Sequence, residues 1–198
     1  MADKADAIIT PAFRVAYSNV WEPRTNETTG QKSYSVCMIF SKSTDLTEMK
    51  DACRAFLRDK FGKDIPKGVK IPFRDGDKER DTKKRPEFKN SIFVNAKTKF
   101  RPDIIDRHKE PIVDEDDFYS GCYARASVNV YWFENKGNKG LSFGLRNLQK
   151  LRDGEKLSAG RDATQDFEEV DSMSSVGLED DDELATYDEE DEDDPLGL

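Results

Sequence analysis

Apolar and polar residues alternate through much of the first 160 residues of this chain. Near the start, Phe13, Val15 and Tyr17 fall on one face, which is the period of a β-strand. Residues 32–40 alternate again but carry apolar side chains on both faces, which predicts a strand that is covered on both sides. Residues 91–96 form a short apolar run, which predicts a further strand.

The longest alternation begins at Gly121 and ends at Phe133. The even-numbered positions of this segment are apolar, whereas the odd-numbered positions carry aromatic, polar and basic groups. The pattern alone leaves open which of the two faces looks inward. The loop at 135–140 is rich in Gly and Asn, which predicts a hairpin turn into a final strand at 141–145.

A helical period replaces the alternation after the strand at 32–40. Apolar residues recur there at spacings of three and four, at Leu46, Met49, Cys53, Phe56 and Leu57. Thr44 is a candidate N-cap, and Gly62 marks the expected end of the helix. The sequence predicts no other strong helix.

Two long polar connections, residues 63–90 and 103–117, separate these elements. Three prolines limit regular structure in the first of them, and a connection of that length is more often functional than accidental. About five strands, one amphipathic α-helix and long loops predict a mainly β fold. A small β-barrel fits this order of elements better than a parallel sheet does.

The distribution of charge divides the chain at Arg161. All 32 Lys and Arg residues lie at or before this position, while residues 162–198 contain 17 Asp and Glu. The first 161 residues therefore hold 24 acidic side chains and a net charge of about +8, although the whole chain has a net charge of −9. We expect a folded domain at 1–161 and an acidic tail at 162–198, which has too few apolar residues to offset its ordering entropy and should be disordered. A basic body tethered to a polyanion suggests a protein that binds a polyanion and carries its own competitor.

Several classes of protein are disfavoured by what the sequence lacks. Cys37, Cys53 and Cys122 are widely spaced, so we expect reduced thiols rather than disulfides or a zinc site. The start of the chain lacks a signal-peptide pattern and no apolar run has the length of a membrane span, so a cytoplasmic protein with no membrane partner is expected. His108 lies among charged residues, and no phosphate-binding loop or nucleophile motif is present. We expect no enzyme activity, no cofactor and no bound metal.

Aromatic residues are interleaved with basic ones in two segments. The first contains Lys97, Lys99, Phe100 and Arg101, and the odd-numbered face of the long alternation contains Tyr123, Arg125 and Tyr131. Rings between cations can stack on bases while the cations neutralise phosphates. The same rings could instead pack beneath a loop, and periodicity does not decide between the two interpretations. A further basic cluster lies at 83–85, inside the first long connection.

Four segments carry a resemblance to a known family. They lie at 13–23, 71–77, 119–129 and 138–155, and the third reads Tyr-Ser-Gly-Cys-Tyr-Ala-Arg-Ala-Ser-Val-Asn. Together they resemble the phage single-stranded DNA-binding proteins, and the similarity spans residues 10–160. The resemblance implies an OB-fold barrel that coats single strands during phage replication and recombination, in the host cytoplasm. The DNA-binding residues that we predict, as cations for phosphates or rings for bases, are Lys97, Lys99, Phe100, Arg101, Tyr123, Arg125, Tyr131 and Arg146.

The acidic tail is similar in kind to the tails of single-stranded DNA-binding proteins, which dock replication partners and compete with DNA. The predicted partner-binding residues are Asp191, Glu192, Asp193, Asp194, Leu196 and Leu198. Many such tails end on an aromatic residue, whereas this chain ends on Leu198, so competition through bulk charge is better supported than docking through the tip. The sequence does not decide whether the protein forms a homo-oligomer.

Two other functions fit parts of the sequence. The acidic tail could be the active part of a nucleic-acid mimic or assembly chaperone that sequesters a basic partner. The acidic run at 114–117 could hold magnesium in a nuclease, although consecutive carboxylates do not converge easily on one ion. Single-stranded DNA binding accounts for more of the chain than either alternative.

Overall fold

The computed structural model describes residues 7–27, 29–135 and 137–157. These residues form the strands β1 (Ile8–Ile9), β2 (Phe13–Thr25), β3 (Lys32–Ser41), β4 (Arg74–Asp75), β5 (Ser91–Thr98), β6 (Asp103–Ile105), β7 (Tyr123–Asn135) and β8 (Asn138–Arg152). They also form the helices α1 (Thr47–Phe61) and α2 (Gly76–Glu79), with 3-10 turns at Pro86–Phe88 and Glu115–Asp117. The acidic segment at 162–198 lies outside the described residues.

Five of the described strands close into a ring. β2 pairs with β3, β3 with β5, β5 with β8 and β8 with β7, and β7 pairs again with β2. These pairings are antiparallel except that of β5 with β8. The short strands β1 and β6 lie beside β7 and β8, and β4 adds to β5. Over the described residues, the prediction of a mainly β fold with one long amphipathic helix is confirmed.

The inside of the ring holds the main hydrophobic core. The even-numbered side chains of β7 from Ala124 to Val130 are at most 2% exposed, so this face looks inward and the aromatic and basic face looks outward. Side chains from the other strands, including Phe13, Met38 and Phe143, complete the core. Removal of this apolar surface from water is the main stabilising contribution, at about 25 cal/mol per Å². The structure thus settles which face of the long alternation is interior.

Helix α1 packs its apolar stripe against this core, as the spacing of its residues predicts. The predicted N-cap at Thr44 is wrong, because the helix begins at Thr47. The carboxylate of Asp45 instead accepts a hydrogen bond from the Thr47 amide at 2.9 Å. Gly62 ends the helix as predicted, and its φ of 59° suits a residue without a Cβ.

A second, smaller hydrophobic cluster lies on the outside of the ring. Its members are Ala16, Cys37, Ile39, Phe88 and Phe93, from β2, β3, β5 and the turn before β5. Phe88 is fully buried, and its ring meets that of Phe93 edge-on with the centroids 5.1 Å apart. The strand β3 is therefore covered on both faces, as predicted.

The expectation that prolines keep residues 63–90 irregular is corrected in part. This connection contains β4, α2 and a 3-10 turn, and burial of Phe88 holds it against the outer face of the ring. Lys42 Nζ anchors it, at 3.0 Å from Asp75 Oδ1 and 2.7 Å from Asp77 Oδ2. The hydrogen bonds from Lys42 lower the pKa of both carboxyl groups. This anchor is complete above the ordinary pKa of Asp and is lost as the pH falls through the lowered values.

Two features are absent from the described residues. None of their helices is long and apolar enough to cross a membrane. No group of three or more His, Cys, Asp or Glu side chains among them is placed to hold a metal ion. Cys37, Cys53 and Cys122 are free and buried. Burial raises the pKa of Cys37 and of Cys53 to about 12, so these thiols stay protonated.

Candidate nucleic-acid interface

A groove with a volume of about 630 Å³ lies on the outer face of the ring, where β2, β3 and β5 run side by side. Side chains from the connection at 63–90 form one wall of it. Its lining includes Tyr17, Arg24, Glu27, Arg80, Arg85 and Lys97. We call it the Tyr17 groove.

A β-bulge presents Tyr17 to this groove. The pairing of β2 with β3 is regular up to Ala16 and shifts register before Asn19. Tyr17 lies in this irregularity with a φ of 45°, in the left-handed region that a bulky residue rarely adopts. Its side chain is 41% exposed, so the prediction that it shares a face with Phe13 is wrong. Bulges often re-aim a side chain beside a functional site, and strained backbone is concentrated at such sites.

Aromatic and cationic groups surround the Tyr17 ring. It stacks on Phe88 with the centroids 6.1 Å apart and an interplanar angle of 16°. The guanidinium carbon of Arg85 lies 5.1 Å from the centre of the Tyr17 ring. Because Phe88 is fully buried, it anchors the exposed ring next to it. The arrangement offers an aromatic surface to a base and a cation to the phosphate beside that base.

The Tyr17 groove is electropositive. Its charged side chains are Arg24, Arg80, Arg85, Lys97 and Glu27, which sum to +3. The guanidinium of Arg80 lies 5.2 Å from the ring centre of Phe88 and 5.0 Å from that of Phe93. Its Nε is buried without a hydrogen-bond partner, which is costly for a charged donor. These contacts hold a positive charge in the wall of the groove, where it attracts an anion.

Short polar side chains form part of the groove floor. The Nδ2 of Asn19 donates to Ser35 Oγ at 3.3 Å, and Ser35 pairs with Lys97 across β3 and β5. Asn95 lines the same floor. Amides and hydroxyls can donate to or accept from the polar edge of any base. Such a floor favours polar ligands without selecting one base.

The structure separates the members of the predicted basic segment at 97–101. Lys97 lies on β5 and lines the Tyr17 groove. Lys99 and Phe100 follow the end of β5 and do not line the groove. Phe100 is 81% exposed, so nothing in the described residues covers its ring. Of the three, Lys97 is the residue that the fold brings together with Tyr17.

Arg101 lies in a different setting. Its guanidinium carbon is 5.1 Å from the centre of the Trp21 ring. The depression that these two residues line also contains Glu22, Asp114 and Glu115. Three carboxylates around one cation make the local charge negative, which disfavours a phosphate.

The other predicted residues of β7 and β8 lie outside the Tyr17 groove. Arg125 and Arg146 are exposed, and Tyr131 is half-buried. Arg125 Nε donates to Gln149 Oε1 at 2.7 Å, across β7 and β8. The middle parts of β7 and β8 are on the opposite side of the ring from β3, so Arg125, Tyr131 and Arg146 face away from the groove. Tyr123, at the start of β7, lies beside Arg152 at the end of β8.

Sequence reasoning missed Tyr17, and a signal for it was present. The residues of β2 that enter the main core change from odd numbers at Phe13 and Val15 to an even number at Val20. In a strand this change requires an extra residue between them, which is a bulge. Arg80 gave no comparable signal, because its place depends on how a long connection folds.

The predicted partner-binding residues, from Asp191 to Leu198, lie outside the described residues, as does the predicted domain boundary at 161. The last described residue, Leu157, packs against the outer hydrophobic cluster. Its amide donates to the carbonyl oxygen of Ser120 at 2.8 Å. Leu157 therefore lies on the face of the ring that carries the Tyr17 groove.

Known proteins show clear similarity to this chain. Residues 6–178 match the family described as the ssDNA-binding protein of Enterobacter phage Enc34. Protein p50 of Acyrthosiphon pisum secondary endosymbiont phage 1 is 34% identical over 173 residues, which cover 81% of this chain and 90% of p50. Both similarities are extensive enough to show common family membership.

Two solved structures share the fold. The single-stranded DNA-binding protein of bacteriophage Enc34, in complex with ssDNA, has a TM-score of 0.67 at 21% identity, over 78% of this chain and 91% of that protein. The single-stranded DNA-binding protein gp2.5 of bacteriophage T7 has a TM-score of 0.60 at 12% identity, over 82% of this chain and 99% of gp2.5. The resemblance that the sequence motifs indicate is thereby confirmed, and the chain belongs to the phage single-stranded DNA-binding protein family typified by that of Enc34.

Proposed function

We propose that this protein binds single-stranded DNA without sequence specificity through the Tyr17 groove, and that it catalyses no reaction. The observation that carries this proposal is the exposed Tyr17 ring, which a bulge holds outward between basic side chains. Membership of a family named for single-stranded DNA binding supports it. The positive charge of the first 161 residues, about +8, fits a polyanionic ligand.

Binding combines two kinds of contact. Bases stack on Tyr17, and each stacked base contributes about 1–3 kcal/mol. Phosphates pair with Arg24, Arg85 and Lys97, which releases counterions and makes the affinity fall as salt rises. Arg85 is exposed, so it can move from the face of the Tyr17 ring to a phosphate when a base takes its place. Phe100 offers a further ring to a strand that leaves the groove past the end of β5.

We further infer a role in the replication or recombination of phage DNA, in the cytoplasm of the host. The acidic residues at 162–198 would compete with DNA for the groove and dock basic replication proteins. The charge contrast between the two parts of the chain supports this regulation, since 17 carboxylates follow a basic domain.

Single strands are expected to bind more tightly than duplex of the same length, because Tyr17 can stack only on a base that is free of its partner strand. The measurement is competition of unlabelled single strand and unlabelled duplex against one labelled oligonucleotide at fixed salt. Tyr17→Ala is the matched variant, since it should lose much of the preference while keeping the weaker, charge-driven duplex binding. Equal affinity of the wild-type protein for both forms would leave charge as the sole basis of binding and contradict the proposal.

A further inference from the structure

A second depression, of about 500 Å³, lies on the same outer face as the Tyr17 groove. Ile39 lines this depression, while Cys37, two residues away on β3, lines the groove. Two residues of a strand span about 6.6 Å, so the two depressions are close together. Phe88 and Leu157 pack over this stretch of β3 and stand at the boundary.

An aromatic ring and a cation are already paired in the second depression. Tyr123 and Arg152 line it, and the guanidinium carbon of Arg152 lies 3.6 Å from the centre of the Tyr123 ring. Arg152 is exposed and Tyr123 is half-buried. The pair repeats the combination of Tyr17 with Arg85 in the groove. We call this depression the Tyr123 cleft.

The charges of the Tyr123 cleft favour an anion. Arg14, Lys89 and Arg152 line it against one carboxylate, that of Glu87. Arg14 Nη2 donates to the carbonyl oxygen of Glu155 at 3.0 Å, whereas its Nε is buried with no hydrogen-bond partner. Lys89 is exposed and makes no ion pair within the described residues. The cleft therefore contains cationic groups, on Arg14 and Lys89, whose capacity to bind an anion is not fully taken up by contacts among the described residues.

We infer that the Tyr123 cleft is a second nucleotide subsite, which holds a DNA strand where it continues past the Tyr17 groove. A base stacks against the Tyr123 and Arg152 pair, and Lys89 takes the adjacent phosphate. A short oligonucleotide fills the groove alone, whereas a longer one crosses Phe88 and fills both. This inference rests on the proposed function, because it extends the same binding track.

The test is a series of oligonucleotides of increasing length, bound to the full-length protein at fixed salt. For the wild-type protein, affinity rises with length until both sites are filled and then levels off. For Lys89→Gln and Arg152→Gln, affinity for the shortest binding oligonucleotides is unchanged, and the curve levels off at a shorter length. For Tyr123→Ala, the affinity at the plateau falls about fivefold or more, the lower end of the effect of losing one stacked base. Lys50→Gln on helix α1 is the control, since it removes one charge from an exposed site outside both depressions.

The outcomes separate the two proposals. If no length of single strand binds the wild-type protein, the proposed function itself fails. If the wild-type protein binds but the length curves of Lys89→Gln and Arg152→Gln superimpose on its curve, the second subsite is refuted and the groove stands. Thermal denaturation of Tyr123→Ala shows whether its loss of affinity comes from a loss of fold. If it does, Lys89→Gln decides, because Lys89 is exposed and forms no ion pair with another described residue.

Discussion

Replacing Tyr17 with alanine is expected to weaken the binding of single-stranded DNA by about 1–3 kcal/mol, roughly 5- to 150-fold. The ring is 41% exposed and lines the basic groove, so its loss removes a stacking surface and little of the core. Fluorescence anisotropy of a labelled oligonucleotide measures the effect. The label belongs on the DNA, because Trp21 and Trp132 are the only tryptophans and neither lines the groove.

Two further substitutions separate the effect of losing the Tyr17 ring from other effects of the mutation. Tyr17→Phe keeps the ring and should bind almost as the wild-type protein does. Tyr17→Gly suits the φ of 45° at this position, so it removes the ring while relieving the backbone. Circular dichroism establishes that each variant is folded. Normal affinity of folded Tyr17→Ala would mean that bases do not stack on this ring.

Removing residues 162–198 is expected to tighten the binding of single-stranded DNA at low salt. The segment carries 17 carboxylates and follows a domain of net charge about +8. If these 37 residues are disordered, as their composition predicts, their root-mean-square span is roughly 30–37 Å, which is enough to reach most of a domain of this size. Tethered carboxylates at that distance compete with phosphates at a high effective concentration. The gain should shrink as salt screens the charges.

The control for the truncation is a full-length chain in which the Asp and Glu residues at 188–194 are replaced by Asn and Gln. It keeps the length of the tail and should show part of the same gain at low salt. Affinity curves against salt that superimpose for the full-length and truncated proteins would show that the tail does not compete with DNA. Retention of DNA binding after truncation also counts against the alternative in which the acidic tail is itself the active part.

Local patterns predicted the elements of this fold because those patterns report burial. The alternation at Gly121–Phe133 predicted β7 and its two faces, since every second side chain enters the core. The spacing of Met49 and Cys53 predicted helix α1 for the same reason. The hairpin between β7 and β8 followed from its Gly and Asn residues, although β8 extends to Arg152, well past the predicted end at 145. The part of β8 beyond residue 145 stays extended because it pairs with β7 on one side and with β6 on the other.

The candidate site could be predicted only in part, because its geometry depends on contacts between distant segments. Lys97 was found from its basic neighbours, and it lies in the groove. Arg80 reaches the groove because Phe88 buries its ring on β5, and no local pattern shows such a contact. Tyr17 was placed on one face with Phe13 and Val15 because a regular strand was assumed, and the bulge reverses its direction. Arg125 shared the signal of interleaved rings and cations but faces the other side of the ring.

The most direct test of the groove compares two variants that lose the same charge from different sides of the ring. Arg24→Gln with Arg85→Gln removes two cations from the Tyr17 groove, and Arg125→Gln with Arg146→Gln removes two exposed cations from β7 and β8. The measurement is the affinity for one single-stranded oligonucleotide as a function of salt concentration. We expect the groove variant to bind more weakly and its salt slope to fall by about 1.4, at roughly 0.7 for each lost phosphate contact, while the other variant keeps the wild-type slope. A reduced slope for the Arg125 and Arg146 variant, with an unchanged slope for the groove variant, would contradict the account and place the DNA on the side of the ring that carries Arg125 and Arg146.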